Sequence, residues 1–148
     1  MPEFVRTTDG VRIAVRRHVP LVASGTAVVV AHGFTASKDE RDVVALAEAL
    51  AADGHLVFTF DGRGHGRSEG LCTLGDLERL DVAAVAGLAQ AEAERVVVVG
   101  ASMGAVAVIG YAATRPDIAG VVAVSPPAVW RVPRSLTGLI SVPLTRTR

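Results

Sequence analysis

The chain has 148 residues, half of them hydrophobic, with 15 basic and 15 acidic side chains and no net charge. Balanced charge removes the electrostatic case for a nucleic-acid partner. No apolar run approaches the ~18 residues of a membrane span, and the opening MPEFVRTTDG lacks the basic-then-apolar order of a signal peptide.

A chain of this length supports one domain with a real core. Residues 4–8 and 11–19 alternate polar and apolar side chains around Asp9-Gly10, a strong hairpin turn signal. Two antiparallel edge strands are expected, the second ended by Pro20. AVVVA at 27–31 is all apolar and reads as a central strand, covered on both faces. His32-Gly33-Phe34-Thr35 follows at its C-terminal end, where open α/β sheets place their ligand crevice. A glycine there lets backbone approach a ligand, and the Phe34 N–H is expected to form one arm of an oxyanion hole. His32 reads as a hydrogen-bonded orienting residue rather than a base. Ser37-Lys38-Asp39-Glu40 has the form of a capping box. It predicts a helix to about Asp53, with Val43, Leu46, Ala47 and Leu50 on one apolar stripe and Gly54 as its stop. The charges at its start read as a solvated end.

LVFTF at 56–60 is the next strand. In the loop at 61–68, DGRGHGRS, glycines alternate with Arg63, His65 and Arg67. It is not a dinucleotide fingerprint, because Arg67 stands where the third glycine belongs, nor a P-loop, because no G-K-[ST] follows. It reads as a self-bonded loop in which Asp61 and Arg63 pair with other loop groups. The lone Cys72 excludes an internal disulfide and predicts a reducing, cytoplasmic setting. Its thiol reads as buried rather than nucleophilic. No Cys/His cluster has metal spacing, and no metal or cofactor is expected. Residues 73–91 predict a helix with Leu74, Leu77, Leu80, Ala84 and Leu88 inward and Glu78, Arg79 and Asp81 outward.

Four valines, Val96 to Val99, then lead into Gly100-x-Ser102-x-Gly104 and a small-residue run. Strand, glycine-framed serine and helix make a nucleophile elbow. Glycines two before and two after the serine remove Cβ atoms that would crowd the turn. The helix N-terminus brings unpaired N–H groups and partial positive charge to the same spot. That helix runs from Met103 to about Thr114 and needs cover on most sides. Arg115-Pro116-Asp117 ends it, residues 118–125 form a further strand, and Pro126-Pro127 terminates that strand. Residues 128–148 contain four arginines and no acid, with a short helix expected over 134–142. The division is a core at 1–127 and a tail at 128–148, read as the start of a cap or connecting segment.

Three landmarks in this order resemble the α/β-hydrolase family: His32-Gly33-Phe34 after one strand, DGRGHGRS after the next, GASMGA after the third. The middle motif is most similar to the monoacylglycerol-lipase and serine-aminopeptidase branch. The likeness runs from about residue 4 to residue 127. It implies an α/β three-layer sandwich around a mostly parallel sheet with an N-terminal antiparallel hairpin. It also implies Ser102 as nucleophile, with the backbone N–H groups of Phe34 and Met103 as oxyanion hole. The implied reaction is acyl transfer to water, from a small-molecule ester, thioester or amide, through an acyl-enzyme. His32, Gly33, Gly100, Gly104, Asp61, Gly64, His65, Gly66 and Ser68 match supporting positions that shape the loops.

The family orders its triad as serine, acid, histidine. After Ser102 this sequence has no histidine and no glutamate, and its one aspartate, Asp117, precedes a strand. His18, His32, His55 and His65 all come before the serine. The last two family strands, which bring acid and base, are expected to be absent, leaving a C-terminally truncated and impaired hydrolase. His32 or His65 serving as base requires a new triad arrangement. The strand at Ile118 becomes an open apolar edge, suited to a homodimer or a complementing chain over 118–125. A non-catalytic binding or scaffold protein, or a fragment, is the alternative.

Overall fold

The computed structural model describes residues 3–129; the expected helix over 134–142 and nearly all of the tail lie outside them. Alternation around Asp9-Gly10 produces β1 (Glu3–Arg6) and β2 (Arg12–His18), paired antiparallel. The Thr7 N–H donates to the Val11 carbonyl at 2.9 Å, and Gly10 takes φ +87°, a conformation glycine adopts without strain. The apolar runs form β3 (Thr26–Ala31), β4 (Leu56–Phe60) and β5 (Arg95–Ala101), and β6 (Gly120–Val124) follows. One six-stranded sheet results, in the order β1-β2-β4-β3-β5-β6. β3 is central and parallel to both β4 and β5, as its sequence implies. β2 is not an edge, because it also pairs antiparallel with β4, so β1 is the edge strand of the hairpin among the described residues.

Both faces of the sheet are covered. α1 (Arg41–Ala52) packs on one, around Val28, Val30, Ala47 and Val57. α2 (Glu78–Glu92) and α3 (Met103–Ala112) cover the other, around Val29, Phe58, Val85, Val98 and Val108. Among the described residues β6 is the far edge: Val121, Val122 and Val124 are 40%, 48% and 52% exposed.

Several helix expectations need correction, and a buried charge explains where both helices begin. α1 begins at Arg41, not at a Ser37 cap. Residues 37–40 instead form a turn, with the Glu40 N–H donating to the Ser37 carbonyl at 3.2 Å. The cause is Lys38. It is 2% exposed rather than solvated, and it gives its N–H and its ammonium to Asp61. On the stripe of α1, Ala47 is buried but Leu46 is exposed.

α2 begins at Glu78, five residues later than residue 73. The Glu78 carboxylate accepts from the N–H and hydroxyl of Thr73 and the N–H of Gly75, which holds 73–77 as a loop. Its buried face is Glu78, Asp81, Val82, Val85, Ala86 and Ala89, so both acids point in rather than out. Arg63 is the reason for Asp81: its N–H, Nε and Nη2 all donate to that carboxylate, at 2.8, 2.9 and 2.8 Å. Arg63 also reaches Asp9 in the hairpin turn, at 2.8 and 3.1 Å. Its partners are therefore an adjoining helix and the hairpin, not its own loop. Burial pushes the Asp81 carboxyl up to about 6 despite Arg63, whereas the Arg63 hydrogen bond draws the more exposed Asp9 down to about 2.

Removing Arg63 strands a buried carboxylate. Arg63→Ala is expected to cost about 3–5 kcal/mol in urea unfolding. Replacing both Arg63 and Asp81 with apolar residues of similar volume recovers most of that loss.

Candidate active site

The register of the sheet sets the site. Ala31 pairs with Phe60 on one side and Gly100 on the other, so His32, Asp61 and Ala101 leave the three central strands at one level. Ser102 comes one residue later, at φ 52° and ψ −113°, between β5 and α3. That backbone is strained for a residue with a side chain, at about 1–3 kcal/mol. The glycines on either side make it feasible. A Cβ on Gly100 would lie 2.2 Å from the Gly104 carbonyl oxygen, and one on Gly104 2.2 Å from that of Ala31. The first turn of α3 is thus driven against the end of β3. Gly33 stands beside the serine, where a Cβ would lie 3.6 Å from the Ser102 Cβ. The Ser102 N–H donates to the Val124 carbonyl at 2.9 Å, tying the elbow to β6.

Around the serine, two loops are braced together. His32 is buried; its Nε2 accepts the Gly62 N–H at 3.0 Å, so its proton sits on Nδ1 and goes to the Gly33 carbonyl at 2.7 Å. His65 does the same one step outward: Nε2 accepts the Thr35 N–H at 3.3 Å and Nδ1 donates to the Arg63 carbonyl at 3.0 Å. The His65 ring lies edge-on to those of His32 and Phe34, with centroids 5.0 and 5.9 Å away. Between Phe34 and the turn at 37–40, Thr35 takes φ 68°. Desolvation holds His32 below the ordinary imidazole range, with the His65 charge acting in the same direction and the bond to Gly33 opposing it.

Asp61 joins the same framework. Its carboxylate accepts from the Lys38 N–H (2.9 Å), the Lys38 Nζ (3.1 Å) and the Arg67 N–H (3.0 Å). Ser68 Oγ donates to the Asp61 carbonyl at 2.6 Å. Gly66 packs directly on the carboxylate, where a Cβ would lie 2.3 Å from its carbon. Gly64, at φ 72°, lies against the backbone of Cys72, at 2.6 Å from where its Cβ would be.

The four histidines divide by position. His18 and His55 lie at the N-terminal end of β4, at the opposite end of the sheet from Ser102. His32 and His65 are at the serine's end, but both ring nitrogens of each are committed to backbone groups. Neither is free to serve Ser102. Among the described residues Ser102 Oγ has no hydrogen-bond partner, and the N–H groups of Phe34 and Met103 have no acceptor. Asp117 is exposed, paired with Arg115 at 2.7 Å, and precedes β6. Cys72 is buried with its Sγ 3.5 Å from Met103 Sδ, and burial pushes the thiol up to about 12. No group of three potential metal ligands occurs among the described residues.

Sequence reasoning missed Lys38, Glu78 and Asp81 as parts of this framework. For the two acids a signal existed. Positions 78, 81, 82, 85, 86 and 89 share one helical face, and extending the valine–alanine pattern backwards places both acids on it. Lys38 gave none.

A family model described as serine aminopeptidase, S33, matches residues 23–145. Among solved structures, the chain is similar to the esterase Pf2001 of Pyrococcus furiosus, at 26% identity and a TM-score of 0.79, over 99% of this chain and 63% of that one. XC6422 of Xanthomonas campestris, an α/β serine hydrolase without a lid, is 26% identical with a TM-score of 0.75, over 88% and 63%. Est1E of Butyrivibrio proteoclasticus, solved with ferulic acid bound, is 26% identical with a TM-score of 0.73, over 84% and 53%. The chain therefore spans between 53% and 63% of the length of these three proteins.

Two outcomes follow from the packing of this end of the sheet. Gly104→Ala is expected to destabilise by about 3 kcal/mol in thermal or urea unfolding, since the new methyl meets backbone that cannot yield. His32 gives a pH dependence. Below its ordinary value of 6.5 the unfolded imidazole binds a proton that the buried, folded one resists. This contribution to stability is therefore complete above that pH and is lost as pH falls towards the folded value. A melting-temperature series from pH 7.5 to 5 should decline, and His32→Gln should flatten the decline.

Proposed function

The chain belongs to the serine aminopeptidase S33 family of α/β hydrolases, and on that premise we propose that it is built for acyl transfer to water at Ser102. The substrate is a small carboxylic ester, with thioesters and amides open to the same chemistry. Ser102 Oγ attacks the carbonyl carbon and gives up its proton to a base; the alcohol leaves with a proton. Water then cleaves the acyl-serine and releases a carboxylic acid. The N–H groups of Phe34 and Met103 hold the oxyanion. His32, Gly33, Asp61, Gly64, His65, Gly66 and Ser68 set the two loops, and Gly100 and Gly104 permit the elbow. The observation that carries this reading is the strained Ser102 backbone at a strand-to-helix turn, with Gly33 against its Cβ. The single, buried Cys72 favours a cytoplasmic setting.

No acid or base faces Ser102 among the described residues. Loss of one triad member typically lowers turnover by about 10⁴- to 10⁶-fold, so the 148-residue chain by itself is an impaired catalyst. That favours a second reading: a non-catalytic binding or scaffold protein on the same fold, with a second copy or a complementing chain paired along β6, whose valines are half exposed.

Labelling with a fluorophosphonate, read by mass spectrometry beside Ser102→Ala, separates the two. The hydrolase reading expects an adduct on Ser102 that forms faster in the folded chain than in the urea-unfolded one, and none in the variant. Equal rates in the folded and unfolded chain, together with a dimer or hetero-complex by light scattering, would establish the scaffold reading instead.

A further inference from the structure

The groove between α2 and α3 lies away from the serine. It has a volume of about 400 Å³ and is lined by Arg79, Leu80 and Ala83 from one helix and by Gly110, Tyr111 and Arg115 from the end of the other. Ser102 precedes the first turn of α3, whereas these residues occupy or follow its last turn. Tyr111 is 3% exposed, and its hydroxyl is the one fully buried side-chain polar atom without a partner among the described residues. A buried hydroxyl left unpaired is costly, and such groups ordinarily meet a water, an ion or a ligand.

Two arginines line the same groove as Tyr111. Among the described residues Arg79 forms no ion pair. Its stem runs past Gly110, where a Cβ would lie 3.5 Å from Arg79 Cδ, and the absent side chain keeps the groove open. Arg115 stands 5.6 Å from the Tyr111 ring centre and uses Nε and Nη2 on Asp117 and Gln90, which leaves Nη1. The acids on α2 do not compete: Glu78 is taken by Thr73 and Gly75, Asp81 by Arg63 and Glu92 by Arg17. Thr114 has spent its hydroxyl proton on the Tyr111 carbonyl at 2.9 Å. Burial pushes the phenol above its ordinary range, so it remains a donor at neutral pH.

The free groups of Arg79, Arg115 and Tyr111 are therefore donors, the Thr114 oxygen alone keeps acceptor lone pairs, and the free charge among these lining residues is positive. We propose that this groove binds an oxyanion, the carboxylate or phosphate group of a small molecule, through the Tyr111 hydroxyl and the Arg79 guanidinium. Leu80 and Ala83 offer an apolar wall to the remainder of the ligand. The site is independent of the chemistry at Ser102.

Tyr111 is the only tyrosine of the chain, so its ring resonances report on the site directly. The 148-residue chain is titrated with inorganic phosphate and with acetate, against sodium chloride at equal ionic strength and neutral acetamide. Binding is followed by NMR and by calorimetry. A saturable shift of the Tyr111 ring with one or both oxyanions is expected, and the more effective of the two identifies the head group. Arg79→Gln, a substitution at a partly exposed position, should weaken the binding at least tenfold. Tyr111→Phe should abolish the calorimetric signal while retaining the fold. No shift, the same shift with chloride or acetamide, or undiminished affinity in Arg79→Gln would overturn the assignment.

Discussion

Everything at the serine's end of the sheet hangs on one dry carboxylate. Asp61 is fully buried, and an ion in that position is tolerated only when its lone pairs are filled. Backbone N–H groups from two different loops and one ammonium fill them, while its own N–H is given to the Ala14 carbonyl of β2 at 2.9 Å. One side chain thereby fixes the segment after β3 to the segment after β4. The requirement propagates outward. Gly66 can carry no side chain, Lys38 is drawn inside, and α1 cannot begin until the turn that Lys38 imposes is complete.

Where the sequence was legible, the physics was local. The hairpin follows from Asp9-Gly10 and alternation, the central strands from runs of valine, and the elbow from glycines spaced around Ser102. All three are visible within a window of ten residues. The beginnings of α1 and α2 were not, because long-range charge pairing decides them. Lys38 meets a carboxylate 23 residues away and Asp81 an arginine 18 residues away. Local propensity wrote a capping box at Ser37 and an outward acidic face on α2; a buried partner overrode both. The site divided along the same line. The serine and its glycines could be read from spacing, whereas the fates of His32 and His65 depend on which backbone groups each ring meets.

Those fates bear on chemistry. Both imidazoles hold a proton on Nδ1 by donating to a carbonyl and spend Nε2 on an N–H. In that state a histidine is a fixed strut between two loops. The strain at Ser102 is retained all the same, and the two N–H groups proposed to face a developing oxyanion have no acceptor among the described residues. In this fold the braced loops and the strained serine over residues 32–104 thus stand together without a free imidazole among the described residues.

The Arg63 clasp has a kinetic meaning as well. It joins a hairpin turn 54 residues earlier to a helix 18 residues later, and closing such loops is entropically expensive before the elements are docked. A clasp that closes only once these elements are docked acts on the rate of unfolding rather than of folding. In that order of assembly Arg63 is a brake on opening. It governs how long the β1–β2 hairpin stays closed over the rest of the sheet, and with it the lifetime of the folded chain in the presence of proteases.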